Sequence, residues 1–317
     1  MSDMSDVPRP DLPAGEQEHW CSLDARVSAA PGVPPGWLDA LHHDWGLGEV
    51  QAGTWPAGTA ARTIELHVGT LPHAPPHVTA REVALPDGTA SVQVLGDELW
   101  LADRLHVQLG AQRSTLTCAP QGAAHDLWAL AFTEAHRAAG WVPLHAALIA
   151  GRGGVVAVTG PSGAGKTTAC LRLRAAGWTI LAEDRAWIGP DGRAAGLDRT
   201  LRALDDSLAR FAPDLLRAGP DVPRDARGKR LLPLTVPPVS LPLAAVLLLG
   251  HLGPLGAADR VREFWQATGV PLGASGQRAV SGAAQRLVRT VPWRPADRQE
   301  LMTLIPELLG SPLPDRP

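Results

Sequence analysis

A chain of 317 residues, 45% of them hydrophobic, is long enough for one large domain or two ordinary ones with a real core. Its 29 Lys and Arg nearly balance its 32 Asp and Glu, so overall charge gives no electrostatic case for a nucleic-acid partner or for a membrane. Cys21, Cys118 and Cys170 have neither metal-ligand spacing nor the even count of a disulfide framework, and we therefore expect a reducing cytoplasm.

The first part of the chain predicts a tail followed by a strand-rich region. Residues 1–18 have no cationic start and no apolar stretch, so we expect a flexible tail rather than a secretory signal. Apolar residues at helical spacing predict a short helix over 37–45. Alternating segments at 63–68, 91–95, 98–101 and 105–109 are separated by Gly-containing turns and predict a meander of antiparallel strands. We place this strand-rich N-terminal region at residues 19–122.

A helix and a tight hairpin are predicted next. Residues 123–139 have an apolar face and end at Gly140, which is typical of a helix. The apolar segments 141–150 and 155–158 flank the glycine-rich turn 151–154, so we expect two antiparallel neighbouring strands. In this hairpin we expect His145 to lie near one end of the site that the segment after the second strand forms.

The segment after the hairpin has the residues of a phosphate-binding loop. It runs Gly160-Pro161-Ser162-Gly163-Ala164-Gly165-Lys166-Thr167-Thr168 and leads into a helical segment over 169–176. Strand, glycine-rich turn, lysine, hydroxyl and helix follow in the order of a P-loop, whose backbone N–H groups bind phosphate oxygens. We expect Lys166 to reach the β- and γ-phosphates, Thr167 to bind Mg²⁺ and Thr168 to support the helix start. A chance match in a chain with 33 glycines is the alternative.

Two adjacent carboxylates follow the next predicted strand. Residues 178–182 are apolar and precede Glu183 and Asp184. Carboxylates at the end of a strand beside a P-loop suit Mg²⁺ binding and acceptance of a proton from an attacking hydroxyl. The alternative is that one of them is a solvated turn residue.

The remainder predicts helices, core strands and one cationic loop. We expect a helix over 199–216 with an interruption near Pro213, a core strand at 243–249, helices at 258–267 and 279–288, a short strand at 290–294, a final helix at 296–309 and a tail at 310–317. The polar loop 221–230 carries Arg224, Arg227, Lys229 and Arg230. A plain mobile loop and a lid that closes over triphosphate or an anionic substrate are equally supported.

Several segments together resemble the catalytic domain of bacterial HPr kinase/phosphorylase and its shorter HPr-kinase-like serine kinase relatives. They are Leu144-His145-Ala146-Ala147-Leu148-Ile149, the glycine-rich loop with Lys166 and Thr167, Gly177-Trp178 and Ala182-Glu183-Asp184-Arg185. The resemblance covers about residues 141–309. It implies an α/β fold in which a P-loop mixed-sheet kinase domain over 123–309, akin to phosphoenolpyruvate carboxykinase, follows the small strand-rich region.

The same resemblance implies ATP- and Mg²⁺-dependent phosphoryl transfer to a serine hydroxyl. Its catalytic positions correspond to His145, Lys166, Glu183 and Asp184, and its metal-binding positions to Thr167 and the two acids. The usual Asp-Asp pair is Glu-Asp here, and the later glycine-rich signature of true HPr kinases is absent, so we expect a protein or peptide substrate other than HPr. A nucleotide-binding ATPase or switch, a small-molecule kinase, a merely packed His145 and homo-oligomerisation all stay open.

Overall fold

The computed structural model describes residues 19–45, 47–49, 62–86, 88–217, 222–225, 227–234, 239–251 and 253–313. The predicted tail at 1–18 and residues 314–317 of the second tail lie outside the described residues. Within these ranges the chain is an α/β structure with mixed sheets and eight helices. None of the described helices is long and apolar enough to cross a membrane.

The first sheet has nine strands in the described part of the chain, in the spatial order β3-β1-β2-β4-β9-β8-β7-β6-β5. Their bounds are β1 (His19–Ser22), β2 (Ala25–Ala29), β3 (Gly48–Glu49), β4 (Arg62–Val68), β5 (Arg81–Leu85), β6 (Gly88–Leu95), β7 (Glu98–Leu101), β8 (Leu105–Gln108) and β9 (Arg113–Cys118). Strands β5 to β9 form an antiparallel meander, in which β6, β7 and β8 confirm the predicted segments 91–95, 98–101 and 105–109, whereas β5 and β9 lie outside the predicted segments.

The prediction that residues 63–68 belong to that antiparallel meander is wrong. Strand β4 pairs in parallel with β2 on one side and with β9 on the other. Alternating burial along β4 fixes which face is covered, but it carries no information about the direction of the neighbouring strands. The long connections before and after β4 permit the parallel pairings.

Two helices cover one face of the first sheet. They are α1 (Pro35–Trp45) and α2 (His125–Ala138), and they confirm the predicted helices at 37–45 and 123–139. The rings of Trp45 and Phe132 stack with centroids 5.2 Å apart, between the two helices. Because α2 contributes Leu127, Trp128 and Phe132 to the same buried cluster as the first sheet, it packs on the strands that precede it in sequence.

The second sheet contains the predicted hairpin and the strands that follow it. Its elements are β10 (Val142–Gly151), β11 (Gly154–Thr159), β12 (Thr179–Ala182), β13 (Arg185–Ile188), β14 (Arg193–Gly196), β17 (Leu241–Leu249) and β18 (Trp293–Ala296). Strands β10 and β11 are antiparallel, as predicted, and β11, β17 and β18 run parallel to one another. The pairings β10-β11-β17-β14-β13 return to β10, so the sheet curls into a closed circuit.

Helices lie on both sides of this second sheet. On one side, α3 (Lys166–Ala175), α4 (Asp205–Phe211) and α8 (Leu301–Leu309) pack with a cluster that includes Val156 and Leu247. On the other, α6 (Ala257–Thr268) and α7 (Ala274–Thr290) pack with Val155 and Val246, and they confirm the predicted helices there. Adjacent residues of β11 and β17 thus alternate between two cores, as expected for strands buried on both faces.

Three predictions in the last third are corrected. The segment 199–203 is strand β15 (Thr200–Ala203), paired with β16 (Arg230–Pro233), and only α4 and α5 (Pro213–Arg217) of the predicted helix 199–216 are helical. Leu201 and Ala203 are both buried while the residue between them is exposed, and this period of two is that of a strand. The last strand lies at 293–296 rather than 290–294. Helix α8 begins at Leu301, and in the turn before it the Asp297 carboxylate accepts the Gln299 and Glu300 N–H groups, as an N-cap residue does.

Candidate functional site

Four pieces of backbone meet at one edge of the second sheet. Strand β10 is antiparallel to β11 and β12, so β11 and β12 run in the same direction, and β17 runs with them. The carboxyl ends of these three strands and the amino-terminal part of β10 therefore share one edge. The shared edge brings together the glycine-rich loop 160–165, the acids Glu183 and Asp184, His251 after β17, and His145.

The glycine-rich loop comes too close to backbone at one position, and to another side chain at a second, for a side chain of its own. Gly160 has φ +148°, and a Cβ there would lie 2.7 Å from the Leu249 carbonyl oxygen. Gly165 has φ +109°, and a Cβ there would lie 2.5 Å from Nε of Arg298. Only glycine fits both the backbone angles and the space, and the loop then enters α3 at Lys166.

Lys166 lies inside the curve of the loop. Its Nζ donates a hydrogen bond to the Gly160 carbonyl at 2.9 Å, and its side chain is largely buried. Burial lowers the pKa of Lys166, whereas the negative charges of Asp184 and Glu183 act in the opposite direction. A lysine ammonium is thus held between the start of the loop and the two acids.

Glu183 is joined to the first turn of α3. The hydroxyl of Thr167 donates a hydrogen bond to Oε1 of Glu183, whose side chain is buried. Burial raises the pKa of Glu183, although the Thr167 hydrogen bond opposes that effect. Hydroxyl and carboxylate oxygens side by side at a helix start suit Mg²⁺, which takes few protein ligands and completes its shell with phosphate and water.

Asp184 contacts a different partner from Glu183, and its side chain is more exposed to solvent. Oδ1 of Asp184 lies 2.7 Å from Nδ1 of His145, and the two side chains are 33% and 49% exposed, so both are accessible from solvent. Burial alone raises the pKa of Asp184, but the hydrogen bond and charge of His145, followed by the charge of Lys166, outweigh it and lower the pKa. Adjacent acids therefore have opposite surroundings, one bound to a hydroxyl and one to an imidazole.

The acid pair sits at a break between two strands that both lie along β10. Ala182 pairs with Leu148 and Arg185 with His145, so β12 and β13 keep one register across the break. Asp198 fills the break, because its Oδ2 accepts the backbone N–H groups of residues 183, 184 and 185 at 2.7–2.8 Å. Its Oδ1 accepts Nε of Arg185 at 3.0 Å. The buried Asp198 thus fixes the backbone from which both acids project.

Two cavities flank the glycine-rich loop. One, of about 330 Å³, lies at the start of the loop against α6, and its lining includes His145, Pro161, Ser162, His251, Glu263 and Gln266. The other, of about 400 Å³, lies at the helix end of the loop and is lined by Ala164, Leu249, Gly250, Asp297, Arg298 and Gln299. The loop therefore separates a cavity that contains His145 from a second one on its far side.

Arg298 forms hydrogen bonds to two carbonyl groups of the glycine-rich loop. Its Nε donates to the Ala164 carbonyl at 2.7 Å, and its second terminal nitrogen donates to the Gly163 carbonyl at 2.8 Å. Nζ of Lys166 and the guanidinium of Arg298 therefore bond loop carbonyls from different sides. Neither Arg298 nor Asp198 was singled out from the sequence, because each acts on backbone more than a dozen residues away and belongs to no local motif.

The structure brings most of the predicted site residues together. His145, Lys166, Thr167, Glu183 and Asp184 lie at the shared edge with the whole loop 160–165, and Thr168 lies in the first turn of α3. The described part of the chain contains no group of three or more His, Cys, Asp or Glu side chains placed to hold a metal ion.

The cationic loop 221–230 is tied down in part. Residues 221 and 226 lie outside the described residues. Arg224 and Arg230 both bond the Asp205 carboxylate, each at 2.8 Å, and hold it at the start of α4. These two ion pairs lower the pKa of Asp205 to about 2. Lys229 is close enough to Lys166 for its charge to add to burial in lowering the pKa of that lysine.

No protein-family model matches the chain, and no curated protein sequence matches it.

Proposed function

We propose that this chain is an HPr-kinase-like serine kinase, which transfers the γ-phosphoryl group of ATP to a serine hydroxyl of a protein or peptide other than HPr. The observation that carries the proposal is the convergence of the P-loop lysine, the Thr167–Glu183 pair and the His145–Asp184 pair on one edge of the second sheet. A nucleotide-binding loop alone would be compatible with many reactions. The open acid beside it supports transfer to a hydroxyl.

In this proposal Glu183 and Asp184 have different roles. Asp184 is the base, because it is accessible, its lowered pKa keeps it ionised, and His145 holds its carboxylate. It accepts the serine proton as the serine oxygen forms a bond to the γ-phosphorus and the bond from that phosphorus to the ADP oxygen breaks. His145 contacts the carboxylate of Asp184. Its role in this proposal is therefore to position the base.

Glu183 and Thr167 are the Mg²⁺ ligands. Their direct hydrogen bond places a hydroxyl and a carboxylate oxygen side by side, and the pair fits a metal that binds phosphate oxygens as well. When bound, Mg²⁺ offsets the negative charge of the transferring phosphoryl group. Lys166 and the inward N–H groups of the loop add to that stabilisation, and they hold the triphosphate in place.

The function is tested with ATP labelled on its γ-phosphate and a library of serine-containing peptides. The wild type is expected to label peptide on serine, and Lys166→Ala to lower transfer by about 100-fold or more, the size seen when one charge-stabilising donor is removed. Arg278→Ala, which removes an exposed cation on α7, is the matched control and should leave transfer unchanged.

Two outcomes of that experiment would contradict the proposal. Release of free phosphate with no labelled peptide would favour an ATPase or switch. Transfer by Lys166→Ala at the wild-type rate would show that the loop does not bind the triphosphate.

A further inference from the structure

The cavity at the start of the glycine-rich loop is on the reacting side of the proposed site. It shares His145 with the His145–Asp184 pair, and it touches Pro161 and Ser162 at the beginning of the loop. The second cavity meets the loop at Ala164, next to the helix start, and is not lined by His145, while neither cavity is lined by Glu183 or Asp184. We name the first one the acceptor pocket, defined by His145, Ser162, His251, Glu263, Gln266 and Ala267.

Helix α6 supplies one whole wall of the acceptor pocket. Glu263, Gln266 and Ala267 are spaced three and four residues apart, so they lie on one helical face, which is turned to the loop. His251, from the segment after β17, completes that wall. A volume of about 330 Å³ is at the small end of ligand sites, so the pocket holds a short segment rather than a folded surface.

The charge on this wall is negative. Glu263 is partly buried and its only described cationic neighbour within 4 Å is Arg262, whose Nε is 3.5 Å away. That guanidinium is 53% exposed and also bonds Asp259 at the shorter distance of 2.8 Å. One exposed cation is therefore shared by two carboxylates, so these three side chains of α6 together carry a net negative charge.

The triphosphate would make the pocket more negative still. Its γ-phosphate would face Gly160 to Ser162 at the pocket floor, and Asp184 lies behind His145. A serine whose neighbour carries a negative charge would be repelled by these groups, whereas a positive neighbour would be attracted to Glu263.

We propose that the acceptor pocket selects a short peptide segment in which the phosphorylated serine is flanked by a cationic residue, with Glu263 on α6 as the residue that recognises the positive charge. The inference rests on the proposed function, because it assigns the acceptor of that same reaction. Glu263 acts on the neighbour of the serine and leaves the transfer step itself to Asp184 and the loop.

The test compares capped short peptides that carry one serine followed by lysine, glutamine or glutamate. The wild type should use the lysine peptide about tenfold better than the glutamate peptide in kcat/KM, the size expected from one partly screened charge pair. Glu263→Gln should lower the preference for the lysine peptide over the glutamate peptide several-fold, leaving only the part that the triphosphate and Asp184 contribute, and Glu263→Lys should lower it further. Glu82→Gln, an exposed carboxylate on β5, is the matched control and should keep the wild-type preference.

The outcomes separate this inference from the proposed function. Equal use of the three peptides by the wild type, or a preference of undiminished size in Glu263→Gln, would overturn the inference and leave the kinase assignment standing. Absence of label from every peptide, with ATP still bound, would overturn the kinase assignment and this inference with it. Binding of a fluorescent ATP analogue and the melting temperature of each variant confirm that the loop and the fold are intact.

Discussion

At the scale of single residues, Glu183 and Asp184 are neighbours in sequence with opposite electrostatic surroundings. Burial raises the pKa of Glu183, while His145 and Lys166 together lower the pKa of Asp184. A buried carboxylate with a raised pKa costs folding free energy whenever it is ionised. Residues of functional sites often lower the stability of a protein in this way, because function requires a charge where its burial costs free energy.

Glu183→Gln should therefore stabilise the protein while it lowers transfer. Glutamine keeps an oxygen for the Thr167 hydroxyl but has no charge to bury, so we expect the melting temperature at pH 8 to rise by about 1 to 3 °C. Below the unfolded pKa near 4.5 the glutamate is protonated in both states, and the gain should vanish. The folded pKa is raised, so the wild type loses this part of its stability as pH rises through that folded pKa.

Thermal unfolding of the wild type and Glu183→Gln at pH 4 and pH 8 measures the effect, with Glu82→Gln as the control for loss of one exposed charge. A gain of the same size at both pH values would contradict it.

The sequence predicts that these two acids stand beside the loop, but it does not distinguish their roles. The distinction depends on His145 of β10, which contacts Asp184, since Asp198 accepts the backbone N–H groups of both acids alike. The position of His145 beside Asp184 is set by strand register rather than by neighbouring sequence. Lys166 and the loop glycines are different, because the motif holds all its parts within a few residues and its geometry is local.

At the scale of elements, Asp198 replaces the partners that three consecutive N–H groups lose where β12 ends and β13 begins. Its carboxylate is almost fully buried, with 3% of its surface exposed. Hydrogen bonds to a charged acceptor are stronger than neutral ones, and buried donors without a partner are costly.

Asp198→Asn should destabilise the fold by about 2 to 4 kcal/mol, because the amide turns a donor toward groups that are themselves donors. Urea unfolding measures the loss. The matched control is Asp191→Asn, since Asp191 accepts one backbone N–H in an exposed turn, and its change should stay within about 0.5 kcal/mol. Equal losses in both variants would mean that Asp198 does not hold the break. Transfer should fall in Asp198→Asn as well, because both acids project from the backbone that it fixes.

Elements with a strong local period are predicted well from the sequence, and elements that depend on distant partners are not. Strands β10 and β11 and helices α2 and α6 match their predicted segments closely, and α7 contains its predicted segment but begins five residues earlier. The prediction of a helix over Thr200 to Ala203 is wrong, because this segment is too short for its period of two to stand out from the helical segment behind it. Its partner β16 lies some thirty residues further on.

At the scale of the whole molecule, one carboxylate connects the helix of the first sheet with a helix of the second. Glu134 on α2 has no exposed surface and accepts the N–H groups of Leu272 and Gly273, just before α7, at 2.9 and 3.1 Å. It also bonds Arg137 at 2.7 Å, which is itself nearly buried and donates to the Thr268 carbonyl. The two sheets are thus linked through a buried ionic contact.

Glu134→Ala should cost about 3 to 5 kcal/mol, because it leaves a buried guanidinium and two buried N–H groups without their acceptor. Urea unfolding is again the measurement, and Glu82→Ala on the exposed strand β5 should change stability by no more than about 0.5 kcal/mol. A similarly small change in Glu134→Ala would mean that the contact between α2 and α7 contributes nothing to stability. This contact spans 138 positions, and no pattern within either helix predicts it.

The guanidinium of Arg298 has a consequence for the chemistry on the opposite side of the loop. A peptide group is one conjugated unit, so a cation on its carbonyl oxygen draws electron density from the nitrogen and makes the N–H a better donor. The Ala164 carbonyl bonded by Arg298 belongs to the same amide as the N–H of Gly165. If the loop binds phosphate as proposed, Arg298 would strengthen the Gly165 N–H as a donor without touching the phosphate itself. The affinity of the loop for phosphate would then depend on polarisation by a residue more than 130 positions away along the chain.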